Sequence, residues 1–384
     1  MDNKFIWGGP FHEFQTKLKL ESESKTLAHR KLIFFCLTAW VPLFILSQVF
    51  SVAYNPALKV SLLTDFVVWA RFFVALPILI LAERVVKFHV SRALIQLFKT
   101  GIISDNNVMD YESILSRIYK IRESKISEII ILIIAYISTL VVWRNYDQSN
   151  LTSTWIFTEG GVLTIPGYWY YFVSAPIFQF FLYRMTWKFF LWVYFLYKLS
   201  KIELNLVATH PDLSGGLQFI GTTNIYFGIL GTAQCCIISA QIAEWVSIGR
   251  YQLSDQYSTI LIDVLVASFL LMLPIAVFLP KLYRLRLQGK RDYSIVSMNY
   301  VRLFEEKWVK GVNPDNEKIL GSSDVQSLAD LYNSYAIVDQ IRTIPVKPRL
   351  LLNLLIIIAI PFAPLVFFAI PPEEVLKTVL KFIF

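Results

Sequence analysis

Residues that usually carry chemistry are scarce in this chain. It has three cysteines, Cys36, Cys235 and Cys236. All fall inside apolar runs, and an adjacent pair does not readily close an ordinary disulfide. They read as small buried residues, neither a disulfide framework nor a redox pair. The four histidines, His12, His29, His89 and His210, are scattered, with no second histidine at ligand spacing, so no metal site is expected. There is no Walker loop, GxSxG elbow, HExxH helix or glycine-rich dinucleotide turn, and no cofactor is implied. No repeat, direct or inverted, and no low-complexity tract interrupts the chain. A cleaved leader is not expected either: the first apolar run begins at Leu32, behind Glu13, Glu21 and Glu23.

What the chain has is apolar length. Hydrophobic residues make up 55 % of it, more than an ordinary soluble domain carries. The pattern predicts an all-α, polytopic membrane protein of about seven transmembrane helices, at 32–53, 60–83, 127–146, 168–200, 222–248, 258–279 and 350–370. The fourth run would be about 50 Å long at ~1.5 Å per residue, so it must tilt, kink at Pro176 or continue into a protein domain. Pro361 and Pro364 leave the last run either crossing or re-entrant.

Polar segments between the runs are helical in pattern. In 84–126, Val85, Val86, Val90, Leu94 and Leu97 continue the second run as an amphipathic stripe. Gly101 stops it, and Ile114, Leu115, Ile118 and Ile121 return as the second arm of a hairpin. The block 280–349 begins as an extension of the sixth run. A capping-box signature, Ser323-Asp324-Val325-Gln326, precedes Leu328, Leu331, Tyr335, Val338 and Ile341 at helical spacing. Two β-prone runs, 154–157 and 162–165, predict a short hairpin in the loop 147–167. The tail 372–384 reads as an amphipathic helix.

A net charge of +8 would suggest nucleic acid in a soluble protein; here its placement explains it. The flanks around residues 30–31, 84–125, 198–201 and 281–349 are rich in Lys and Arg. Loops 54–59, 147–167 and 249–257 hold only Lys59 and Arg250. The alternation puts the N-terminal segment 1–31 in the cytoplasm, with 84–126, 201–221 and 280–349 forming a helical cytoplasmic domain.

Charges inside the runs are the functional candidates. Asp65, Glu244 and Asp263 lie near the outer ends of their runs, with Arg71 about 9 Å deeper than Asp65. Asp65 and Arg71 are six apart and do not share a helix face, so Asp263 is the expected partner of Arg71. These four suit a charged outer vestibule leading to a constriction, a proton relay, or a structural ion pair between helices. Arg184 and Lys188, one turn apart, suit an anion, lipid headgroups at the inner interface, or pairing with Glu203 or Glu83. His210 and Asp212, in His210-Pro211-Asp212-Leu213-Ser214-Gly215-Gly216-Leu217, mark a cytoplasmic mouth or a structural turn in which Asp212 caps the next helix. Gly221, Gly228 and Gly231 predict close helix packing, within the chain or between subunits.

Three stretches carry a resemblance. They are Phe180 through Lys188, Leu199 through Leu204 with the HPDLSGGLQFIG segment, and Leu320 through Asp330. Together they resemble a family of bacterial polytopic inner-membrane proteins with an HPDxxGGL-type loop. The resemblance implies that placement and brings no activity with it. Lys188 stands where that pattern has arginine, so a bidentate role does not carry over.

The leading functional reading is a permeation protein, an ion channel or small-solute (anion) transporter, working as a homo-oligomer among membrane lipids. A membrane-anchored sensor or effector scaffold with a cytoplasmic protein partner is the second. A lipid-modifying enzyme built on His210 and Asp212 is the third. Nucleic acid is not an expected partner. For the orientation, a lone cysteine at Ser153 should react only with reagent outside the cell, and one at Ser322 only once the inner face is opened. Labelling of both from one side overturns it.

Overall fold

The computed structural model describes residues 8–20, 25–144, 154–158, 160–311, 319 and 321–369; the tail segment 372–384 and most of the loop before Thr154 lie outside them. Ten helices carry the described residues: α1 Pro10–Lys17, α2 Lys25–Val49, α3 Phe66–Lys99, α4 Val108–Glu123, α5 Lys125–Arg144, α6 spanning 165–199, α7 Gln218–Ser247, α8 Leu253–Val309, α9 Ser323–Asp339 and α10 Pro348–Phe368.

Among the described residues, six helices are long and apolar enough to cross a membrane: α3, α5, α7, α8, α10 and the His29–Val49 part of α2. The fourth expected span, α6, is not among them. Its tyrosines and tryptophans, with Arg184 and Lys188, lower its hydropathy, and its position explains why that is tolerated. Phe181, Met185, Trp192, Phe195, Leu196 and Leu199 are each 2 % exposed or less, and α6 touches α2, α3, α4, α5, α7 and α8. Only the faces that a helix turns to lipid must be apolar. The outer helix α5 shows the contrast, with Ile129, Ile130, Ile133 and Ile137 exposed along it.

Prolines within these helices leave backbone carbonyls without partners, because each lacks an N–H and crowds the carbonyl four residues back. The chain answers in two ways. Wide π-turns precede two of them, Ala70–Ala75 before Pro77 and Tyr170–Ser174 before Pro176. Side chains of neighbouring helices meet freed carbonyls: Tyr136 Oη donates to Phe172 O at 3.2 Å and Thr232 Oγ1 to Ile357 O at 3.3 Å, each four residues before a proline. Where α8 tightens to a 3-10 stretch over Leu273–Phe278, Asn224 Nδ2 donates to Leu271 O at 2.6 Å. Asn224 itself stands at a break in α7, between Gln218–Ile225 and Gly228–Ser247.

The loops gather in two groups at opposite ends of α3. At one end Val60 pairs with Thr154, and Trp155 Nε1 donates to Asp65 Oδ2 at 2.9 Å. The short hairpin expected here is an antiparallel bridge of Phe157 with Leu163, flanked by Thr158 N donating to Val162 O and Thr164 N to Ile156 O, each at 2.9 Å. The second run also starts later than expected: Leu62–Thr64 is a 3-10 turn, and α3 begins at Phe66 under the cap of Asp65. At the other end Ile103 pairs with Leu204, Lys281 Nζ donates to Ile202 O, and Arg342 N to Leu213 O at 2.8 Å. With 57 residues, α8 is about 85 Å long, far beyond a ~30 Å hydrocarbon core. Its whole length therefore cannot lie within such a core, and α9 packs along its second half.

The N-cap of α9 is Ser322, one residue earlier than expected; its Oγ accepts the Asp324 N–H at 3.1 Å. Asp324 instead fastens α9 to α8, accepting from Lys307 Nζ at 2.9 Å and Trp308 Nε1 at 3.0 Å. Those bonds hold its carboxyl below the usual carboxylate range. Their contribution is therefore present above the unfolded value and lost as pH falls through the lowered one.

The three marked glycines of α7 are used within the chain. A Cβ on Gly221 would stand 2.1 Å from Pro345 O, one on Gly228 2.4 Å from Leu354 Cδ1, and one on Gly231 3.1 Å from Ile358 Cδ1. Gly221→Val should lower stability by about 1–3 kcal/mol through overpacking. Gly160→Ala, which opens on empty space, should be near neutral. Thermal unfolding in detergent compares the two, and equal midpoints would show that the approach at Gly221 is not tight.

Candidate functional site

Three groups of polar side chains stand out, one deep between helices and one toward each loop end. The deep group centres on Glu83 of α3, 3 % exposed. Arg184 and Lys188 of α6 and Lys31 of α2 all pair with it, Lys188 Nζ at 2.7 Å from Oε1. Gln15 of α1 accepts from Lys31 at 3.2 Å. Glu128 of α5 lies 3.6 Å from Arg184 Nε and accepts the Phe11 N–H at 2.5 Å, while the Phe11 ring lies 4.8 Å from the Arg184 guanidinium. Five helices thus meet around one carboxylate.

Of the partners open to Arg184 and Lys188, the structure selects Glu83. Both cations are 5 % exposed, enclosed by protein. Glu203 is exposed at the loop end, where its carbonyl accepts from Asn107. The group is a lock between helices with its charges already engaged.

The second group lies by the π-turns. Arg71 donates to Tyr170 Oη, and its guanidinium is 5.5 Å from the Tyr170 ring and 5.6 Å from that of Phe178. The carboxylates acting on it are Asp65, first, and Glu244 of α7. Asp263, the expected partner, is not one of them; it lies by Cys235. The expectation assumed that α-helix continues from Asp65 through Arg71. In fact Asp65 is an extended N-cap, φ −80° and ψ 98°, and Arg71 sits in a π-turn, so the two are not held on different faces of one helix. Asp65 spends Oδ1 on Val68 N–H at 2.8 Å and Oδ2 on Trp155. Arg71 Nε and Glu244 Oε2 are buried without a hydrogen-bond partner among the described residues.

The third group lines a cavity of about 440 Å³ at the basic loop end. Its walls are the last turns of α3, the 205–216 loop and the first turns of α7. The HPD turn shapes it. Asp212 Oδ1 accepts from Ser214 N at 2.8 Å and Gly216 N at 3.0 Å, and Oδ2 accepts from Gln218 N at 3.1 Å, so it satisfies the first N–H of α7, whose N-cap position is Leu217. His210 Nδ1 lies 2.9 Å from Asp212 Oδ1. The turn needs left-handed backbone at Leu213 (φ 54°), Gly215 (φ 62°) and Gly216 (φ 96°). Gly215 also admits Leu285 of α8, which a Cβ there would meet at 2.6 Å. Sequence reasoning missed Arg92, Gln96, Gln218 and Tyr226 as lining residues. One signal was available: His89, Arg92 and Gln96 share one polar helix face, opposite Val86, Val90, Leu94 and Leu97.

No protein-family model matches the chain, nor does any curated protein or solved structure.

Glu83→Gln should cost about 3–5 kcal/mol, because it leaves buried cations uncompensated. Adding Lys188→Met should recover part of that loss, giving a double variant milder than the sum in chemical unfolding. Strict additivity would mean that the charges do not act on one another. Around Arg71, a cycle of Arg71→Gln with Asp65→Asn should show a coupling above about 0.5 kcal/mol, whereas Arg71→Gln with Asp263→Asn should be additive.

Proposed function

We propose that this multi-pass membrane protein is a permeation protein, a small-solute transporter or ion channel, with its basic end in the cytoplasm of a bacterial cell. One observation carries the reading: the same two helices hold a polar site at each end. Helix α3 lines the cavity with His89, Arg92 and Gln96 and carries Arg71 in its other half. Helix α7 lines the cavity from Gln218 to Tyr226 and carries Glu244. Between these levels Leu76, Leu79, Leu230 and Ala233 are buried, so a solute would pass only when that apolar layer opens.

The irregular backbone supports the same reading. Broken and widened helices at membrane depth are tolerated where protein or a water-filled path surrounds them, and α3, α6, α7 and α8 all have such turns. In this reading α6 crosses as a seventh helix, enclosed by the others. Assembly into a homo-oligomer is part of the proposal, through faces other than the α7 glycines, which are occupied within the chain.

A specific observation favours the scaffold alternative as second choice. Ile295, Val296, Met298 and Leu303 of α8, with Tyr332 of α9, are exposed on the part that stands beyond the membrane, a surface on which a cytoplasmic protein could dock.

Purified protein in liposomes decides between them. Permeation predicts a flux of ions or small anions that falls at least about tenfold in Arg71→Gln or Glu244→Gln, as removal of a charge from a path does, with folded protein retained. Arg184→Gln should instead reduce the yield of folded protein. Tight bilayers for every ion, voltage and pH, together with a cellular phenotype lost on deleting Ser323–Asp339, would replace permeation by the scaffold.

A further inference from the structure

The cavity at the basic end has a definite chemical polarity. Asp212 is its one carboxylate, and both oxygens are engaged by three backbone N–H groups, with His210 Nδ1, which accepts from Asp212 N at 3.3 Å, lying 2.9 Å from Oδ1. Arg92 has no carboxylate within ion-pair distance among the described residues; its guanidinium lies 5.3 Å from the Phe88 ring. His89, three residues earlier, acts electrostatically with Arg92 and stacks flat on Tyr226, ring centroids 3.4 Å apart and planes at 13°. Gln96 projects from the next turn of the same face, and Gln218 from the start of α7. The uncommitted groups are thus mainly N–H donors with a fixed positive charge among them, and no free acid opposes it.

Donors converging from α3, the HPD turn and α7 suit a tetrahedral oxyanion. An arginine fork can grip two of its oxygens while amides and imidazoles meet the others. A volume of about 440 Å³ exceeds what a bare inorganic ion fills and falls in the range of small-molecule sites. We propose that this cavity binds a phosphomonoester, with Arg92 as the principal phosphate ligand and His89, Gln96, His210 and Gln218 completing the cradle. The phosphate has two sources with the same chemistry: a soluble sugar or glycerol phosphate, or the exposed phosphate of an anionic lipid reaching between α3 and α7. The inference deepens the permeation reading, on which it rests only for the idea that the bound phosphate compound is also moved.

Two probes separate the sources. Full-length protein in phosphatidylcholine nanodiscs is titrated with glycerol phosphate, with glycerol and acetate as controls. In parallel it is placed in nanodiscs containing phosphatidic acid. Binding raises the unfolding temperature as ligand linkage requires. A rise with glycerol phosphate marks the soluble source, a rise only with phosphatidic acid marks the lipid, and either supports the cavity if Arg92→Gln weakens the effect at least about tenfold, the order expected for losing a charge-assisted contact. Because Arg92 is exposed, the variant should unfold at the wild-type temperature without ligand. If it fails to fold, Gln96→Glu, which sets an acid beside the phosphate, should weaken binding similarly. No rise with either probe, or a rise that survives both substitutions, overturns the proposal. Liposome flux is scored separately: binding without flux leaves the phosphate site standing and removes the permeation reading, whereas flux without binding removes only the phosphate site.

Discussion

A carboxylate withdrawn from water and met by three cations is the constraint on which this architecture depends. Glu83 cannot remain charged between helices unless cations reach it, as Lys31, Arg184 and Lys188 do, and those buried cations need its counter-charge in turn, Arg184 sharing it with Glu128. An apolar core of the same volume could bind the helices as tightly, but would accept sliding by a turn or a small rotation. Ionic groups with fixed bond directions tolerate neither. The cluster thus sets how α2, α3 and α6 stand against one another, and Phe11, Gln15 and Glu128 add α1 and α5 to the same arrangement.

This lock explains the unusual composition of α6. A helix wrapped by six others meets protein on almost every side, so its surface is judged by fit. Aromatic side chains fill the angular spaces around it: Trp192 stacks near Phe195 and Phe227, and Phe181 packs edge-on to Phe35. The all-helical fold and most apolar helices were legible because lipid imposes one rule on every outward face. The enclosed helix obeys another rule, and its sequence alone does not say which neighbours enclose it.

The sites were legible to different degrees for similar reasons. Glu83 was among the named partners of Arg184 and Lys188, since burial of two cations a turn apart demands an acid. The pairing of Arg71 was misread because spacing converts to helix faces only while the helix stays regular, and two local departures intervene between Asp65 and Arg71. The cavity combines residues from α3, the 205–216 loop and α7, separated by more than a hundred positions. Of its wall, the HPD turn could be read, since two glycines after an aspartate imply left-handed backbone. The polar face of α3 could be read too; that the two oppose each other could not.

The wide turn in α3 has a consequence for how the molecule tolerates change. A π-turn amounts to one residue added to an α-helix, and each residue carries about 100° of rotation. The turn at Ala70–Ala75 therefore uncouples the phase of the capped beginning of α3 from the part that bears Glu83 and the cavity wall. Its partner at Tyr170–Ser174 does the same for α6, and Arg71 and Tyr170, one in each turn, are joined by a hydrogen bond. Two adjacent helices thus share a swivel at one level. The charged layer around Arg71 and the locked layer around Glu83 can each vary in sequence without forcing the other to repack.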